Sequence, residues 1–176
     1  MFKKLNLLSR TEMKLLRFIS EKDGELYERQ ISKEAGVSVG SANSILRSFA
    51  KIGLVKSVRK GQMIFYKRND ENPLLRQFKV FMTVNELSET ISRLAPLSKR
   101  IILFGSRAEG TNTEKSDIDL FVLSSEKEAV RRVLDAKPKV QVILANSVEY
   151  ADLEQKDKPL YERINEGIEL YGERNG

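Results

Sequence analysis

Three residue types at fixed spacing carry the chemistry of this chain. Gly105-Ser106 follows the apolar run Ile101-Ile102-Leu103-Phe104, and ten residues later Asp117-Ile118-Asp119 leads into a second apolar run, Leu120-Phe121-Val122-Leu123. Carboxylates two apart on a strand point to the same side, so Asp117 and Asp119 can share one cation. Gly105 permits close backbone approach, and the amides and hydroxyl at Ser106 suit phosphate oxygens. Two hard oxygen ligands beside a phosphate cradle are what metal-assisted attack on a nucleotide α-phosphate requires. Arg107 is a further candidate for neutralising phosphate charge.

Composition narrows the alternatives. The 176 residues contain no cysteine and no histidine. Disulfides, cysteine nucleophiles, Ser-His-Asp chemistry and the usual zinc sites are therefore excluded. A metal would have to be held by carboxylate oxygen, which points to magnesium or manganese.

The segment Phe-Gly-Ser-Arg-Ala-Glu-Gly, followed by Ser-Asp-Ile-Asp-Leu, resembles the polymerase-β-type minimal nucleotidyltransferases, whose core motif is Gly-Ser, ten residues and Asp-x-Asp. The resemblance runs from about Arg100 to Tyr171 and includes the closing segments Pro159-Leu160-Tyr161-Glu162-Arg163-Ile164 and Gly167-Ile168-Glu169-Leu170-Tyr171. It implies a small mixed sheet flanked by helices. Gly105, Ser106 and Arg107 would bind the nucleotide, and Asp117 and Asp119 would be the catalytic, metal-binding pair. A nucleoside monophosphate would be transferred from a triphosphate, with ATP expected, to a hydroxyl. The family also places a third carboxylate on the strand after the next helix. Here that helix is expected over about Glu126–Leu134, the strand is Lys139-Val140-Gln141-Val142-Ile143-Leu144, and the acidic slot holds Gln141. Glutamine cannot take a proton from an attacking hydroxyl and is a poor ligand for a doubly charged ion. Asp135 and Glu149 flank the strand without filling the slot, and Glu109 and Glu114 lie in the loop between the motif halves.

The first half of the chain has a different character. Net charge is +6, with residues 1–80 strongly basic and residues 81–176 slightly acidic; no acidic residue occurs between Ala35 and Asn69. A one-sign stretch of this length suits a polyanion. Periodicity predicts helices over Ser9–Ile19, Tyr27–Ala35 and Val39–Ile52, the last burying Ala42, Ile45, Leu46, Phe49 and Ile52. Ser9 and Ser38 are placed as N-caps. Two strand-like runs, Leu54–Arg59 and Met63–Lys67, form a hairpin around Lys60-Gly61-Gln62. The polar face of the third helix and the hairpin tip supply the candidate DNA contacts Ser41, Asn43, Ser44, Arg47, Lys51, Arg59 and Lys60. Residues 7–68 resemble the winged helix-turn-helix domain of bacterial and archaeal regulators, through Ile31–Ser38, Leu46–Phe49 and Lys51–Val55.

The expected class is α+β. A three-helix winged helix with a β-hairpin fills residues 1–70, a connecting helix or two pieces breaking near Thr83 or Asn85 fills 71–96, and a nucleotidyltransferase domain with a mixed sheet flanked by helices fills 97–176. The stripe Leu74, Phe78, Phe81, Leu87, Ile91 and Leu94 would pack onto the second domain or join a homodimer. The longest apolar run is far short of the roughly 20 residues that span a bilayer. The residues around Met1–Arg10 lack a secretory leader pattern, so a cytoplasmic protein with no membrane partner is expected. The partners implied are double-stranded DNA, a nucleoside triphosphate, and a protein acceptor such as a toxin neutralised by nucleotidylation. The competing reading is a transcription regulator whose nucleotidyltransferase domain, impaired at Gln141, senses nucleotide or acts as scaffold.

Overall fold

The computed structural model describes residues 8–135, 137 and 139–173. Most of the start expected to lack a leader pattern, Met1–Leu7, lies outside the described residues. The chain forms two compact units, Met1–Arg76 and Gln77–Gly176.

In the first unit, α1 (Arg10–Glu21), a two-residue strand β1 (Leu26–Tyr27), α2 (Glu28–Ala35) and α3 (Val39–Lys51) precede the hairpin β2 (Val55–Lys60) and β3 (Met63–Arg68). The antiparallel sheet has the order β1-β3-β2. Ser9 closes a reciprocal capping box with Glu12, and the Ser38 hydroxyl accepts from the Ser41 amide, so both expected N-caps are in place. Leu15, Leu16, Ile19, Ile31, Ala42, Leu46, Phe49 and Tyr66 are buried. Ile52 is not; at the last turn of α3 it is 53% exposed, because Gly53 ends the helix before that face returns to the core.

The helix α4 (Pro73–Leu94) is continuous, followed by a 3-10 turn at Ala95–Leu97. It does not break near Thr83. That side chain is buried and donates its hydroxyl to the Lys79 carbonyl at 3.1 Å, which satisfies it within the helix. The buried face runs through Leu75, Lys79, Thr83, Leu87, Thr90 and Leu94, while Leu74 and Phe81 are largely exposed. The apolar stripe and the buried stripe therefore coincide only from Leu87 onward.

The second unit is built on a four-stranded mixed sheet of order β6-β5-β4-β7, from β4 (Arg100–Phe104), β5 (Ile118–Leu123), β6 (Val140–Ala145) and β7 (Ile168–Gly172). β4 runs antiparallel to β5 and β7, and β5 runs parallel to β6. A parallel pair needs a crossover, which α6 (Lys127–Leu134) supplies. The short α5 (Ser106–Glu109) follows β4, and α7 (Ser147–Lys156) and α8 (Lys158–Asn165) lie between β6 and β7. The sheet is apolar on both faces. Leu94, Ile101, Val122, Val130 and Leu134 form one cluster, and Ile102, Phe104, Phe121, Ala145 and Ile164 another. The full burial of Phe121 alone removes a side chain worth about 3 kcal/mol from water. Gly167 lets α8 close onto the sheet, because a Cβ there would stand 2.5 Å from the Leu103 carbonyl oxygen and 2.7 Å from Ile102 Cγ2. The central strands β4 and β5, buried on both faces, are the rigid frame on which the carboxylates sit.

Candidate functional site

The strand β4 delivers Phe104 to its end, and the chain turns at Gly105 with φ +68° and ψ −158°. This backbone region is nearly closed to residues with a side chain. A second constraint acts at the same atom, since a Cβ on Gly105 would collide with the Asp119 carboxylate. The ladder between β4 and β5 pairs Phe104 with Asp119, so the glycine turn and the carboxylate are neighbours across it. Ser106 opens α5, and the loop after it is folded back by the Thr111 and Asn112 amides, which donate to the Ser106 carbonyl at 2.9 and 3.2 Å.

Asp117 is exposed, one residue before β5, and Asp119 is half-buried on it. Burial pushes the Asp119 carboxyl above the usual carboxylate range, and the Asp117 charge pushes the same way. Arg163 on α8 opposes both. The structure therefore brings Gly105, Asp117 and Asp119 to one place. Gln141 is in the adjacent register position: β5 and β6 pair Asp119 with Gln141, and Gln141 is exposed. In-register neighbours on parallel strands share a face, so the side chain flanking Asp119 is an amide. Glu149 does not substitute for it. Its carboxylate caps α7 by accepting from the Asn146 amide at 2.8 Å and is paired with Lys127. Among the described residues no group of three acidic ligands assembles.

Arg107 has a structural task instead of an open one. Its side chain is 5% exposed, and Nε and Nη2 donate to the Ser116 carbonyl at 3.3 and 3.0 Å. That bond ties α5 to the start of the Asp117–Asp119 segment. The cation that the spacing did not single out is Arg163, 44 positions beyond Asp119 in the chain. Its only signal was membership of the closing segment Pro159–Ile164, where Ile164 is buried and Arg163 exposed.

In the first unit the candidate contacts separate into free and engaged groups. Ser44, Lys51 and Arg59 are exposed, the last donating to the Gly61 carbonyl at 3.3 Å. Arg47 is exposed, and the Tyr66 phenol has its pKa raised by burial and by Glu28 against the opposing charge of Arg47. Ser41 accepts from the Ser38 hydroxyl at 2.8 Å. Asn43 donates to Glu28 at 2.7 Å, and Lys60 is paired with Glu25 at 2.5 Å. Sequence charge alone did not show that Glu25 and Glu28, outside the acid-free stretch, reach into it.

Residues 85–175 match the polymerase beta, nucleotidyltransferase family, about half of the chain and all of the motif described above. The chain belongs to that family. Its members typically work with a nucleoside triphosphate and a divalent metal. No curated protein matches in sequence. Among solved structures, the chain is similar to one from Sulfolobus solfataricus assigned as a nucleotidyltransferase, at 18% identity over 57% of this chain and 90% of that one, with a TM-score of 0.37. A toxin-antitoxin structure with AMP-PNP is 22% identical over 52% of this chain and 74% of that one, with a TM-score of 0.33. The archaeal chromatin protein TrmBL2 is 12% identical over 91% of this chain and 72% of that one, also with a TM-score of 0.33. Among the described residues no helix is long and apolar enough to cross a membrane.

Proposed function

We propose that the second unit of this nucleotidyltransferase-family chain holds a magnesium-bound nucleoside triphosphate, most simply ATP, and transfers its nucleoside monophosphate to a protein or nucleic-acid hydroxyl, while the first unit binds double-stranded DNA. The observation that carries the nucleotide reading is the seat of the Asp119 carboxylate against the Gly105 α-carbon, where any side chain would close the gap. Magnesium is commonly held by one or two carboxylates together with substrate phosphates, and Asp117 with Asp119 fits that donor set. When bound, the metal supplies a Lewis acid at the reacting phosphate.

The chain's own residues then act as follows. Asp117 and Asp119 fix the ion, and the Ser106 amide and hydroxyl orient phosphate oxygens. The acceptor hydroxyl oxygen forms a bond to the α-phosphorus while the bond from the α-phosphorus to the bridging oxygen breaks. Pyrophosphate leaves with that electron pair, and the hydroxyl proton passes to water. In the register position where a carboxylate would accept the proton, the chain offers the Gln141 amide, which cannot. Slow transfer follows from this. The same observation favours a second reading, in which the site binds nucleotide as a sensor or scaffold and the chain acts as a regulator.

The DNA reading is supported by the order α1-β1-α2-α3-β2-β3, which is that of a winged helix, and by the exposed Ser44, Arg47, Lys51 and Arg59. Asn43 and Lys60 contribute to DNA only by leaving Glu28 and Glu25.

Calorimetric titration of each nucleoside triphosphate with magnesium into the wild type and Asp117→Asn tests the nucleotide half. Binding that Asp117→Asn abolishes is expected, and binding of none of the four would reject the site. Labelled ATP incubated with DNA and with candidate proteins then distinguishes transfer from sensing. For the first unit, duplex affinity should fall steeply with salt, and Arg47→Ala should reduce the salt slope by about one. Salt-insensitive or absent binding would remove the DNA reading.

A further inference from the structure

We propose that Arg163 on α8 is the cation that binds the phosphate chain of the nucleotide, the role the sequence pattern gave to Arg107. The inference rests on the nucleotide reading of the second unit and names a residue of that same site.

Arg107 is committed elsewhere: it is buried, and its guanidinium is used on the Ser116 carbonyl. A magnesium–triphosphate complex keeps about two negative charges at neutral pH, and it would sit against two more from Asp117 and Asp119. Such a site calls for a cation beside the glycine turn, and guanidinium suits phosphate because its planar fork gives paired hydrogen bonds.

Arg163 stands in that position. Its guanidinium carbon lies 5.8 Å from the centroid of the Phe104 ring. Phe104 is the residue before Gly105 and the ladder partner of Asp119. The next residue on α8, Ile164, is fully buried in the same apolar cluster as Phe104, so the base of the arginine is anchored while its head is free. The Arg163 charge is felt at the Asp119 carboxylate, where it works against burial. Among the described residues no carboxylate forms an ion pair with Arg163. Several other cations of the unit are paired, as Arg100 is with Glu169, Lys127 with Glu149 and Arg131 with Glu128. The ring of Phe104, one residue before the turn, holds the guanidinium without consuming its donors. During transfer the same group would offset charge growing on departing pyrophosphate, as arginines do in phosphoryl transfer.

The test uses the full chain and two probes, Mg-ATP and magnesium pyrophosphate, titrated calorimetrically into wild type, Arg163→Ala and Arg163→Lys. Arg163→Ala should weaken both probes by about ten- to a hundredfold, the range for a lost charge-assisted hydrogen bond or pair of them, with Arg163→Lys between. Unchanged affinities in Arg163→Ala would overturn the proposal. So would a loss confined to Mg-ATP, because the residue would then touch the nucleoside. If Arg163→Ala does not fold, Arg163→Gln keeps most of the stem over Phe104 and gives the same readout. Wild type that binds neither probe would instead refute the nucleotide reading, before any variant is compared.

Discussion

β5 and β6 lie side by side in one sheet, in register and parallel, yet they serve the site unequally. β5 carries Asp119, with Asp117 one residue before the strand, and Asp119 sits against a glycine turn that tolerates no side chain. β6 carries Gln141 at the neighbouring position, exposed and uncharged at any pH. Under the proposed function, holding a metal–nucleotide complex would fall to the first strand and removing a proton from an acceptor to the second. If the proposed function holds, binding and turnover are separable in this sheet, because the carboxylates lie on or just before one strand and the amide on the next.

The harshest test of the β5 side is Asp119→Asn. Replacing the half-buried carboxylate by an amide should reduce magnesium-dependent nucleotide affinity at least a hundredfold, measured by calorimetry, with the circular dichroism spectrum unchanged. Binding that survives would break the comparison, since β5 would then be no more equipped than β6. Next in size is Gly105→Ala. The methyl group meets the Asp119 carboxylate and imposes a disfavoured backbone angle, costing about 1–3 kcal/mol of stability. Nucleotide affinity should fall about tenfold or more, and a lower melting temperature should accompany it.

Both strands could be read from sequence because their apolar runs were short, bounded and preceded by turn residues, and Gly105, Asp117 and Asp119 could be read because the motif is local. The Asp119–Gln141 pairing was implied only through a family pattern; in the structure it is a matter of register. What sequence did not carry is where side chains of mixed use are spent. Arg107 looked like a phosphate ligand because it follows Ser106, but the loop folds so that Ser116 claims it. Asn43 looked free because its helix face is polar, but Glu28 reaches it across 15 residues. In α4, Leu74 and Phe81 follow helical periodicity and still face outward, since burial there depends on tertiary neighbours.

The β6 side is sharpened by Gln141→Asp. A carboxylate beside Asp119 can accept the acceptor hydroxyl's proton, and general-base catalysis contributes typically 10²–10⁴-fold. A gain in labelled-nucleotide transfer of about tenfold or more is expected, with little change in Mg-ATP affinity. No gain would mean the amide is not what limits turnover, and the inequality of the strands would lose its chemical meaning.

The smallest effect concerns pH, and it carries opposite signs for stability and function. The folded pKa of Asp119 is raised, chiefly by burial, so between the unfolded and folded values the native state holds more protons. That contribution to stability is fully present below the unfolded pKa and is lost as pH rises through the folded one. At neutral pH the ionised Asp119 is therefore a burden on the fold, and Asp119→Asn should melt about 1–3 °C above wild type, the gap closing as pH falls below the ordinary carboxylate range. Metal binding needs the ionised form, so wild-type magnesium affinity should decline over the window in which the stability gap narrows. A melting temperature that drops in Asp119→Asn at neutral pH would show that the carboxylate contributes to the fold, and β5 would then differ from β6 in structure before it differed in function.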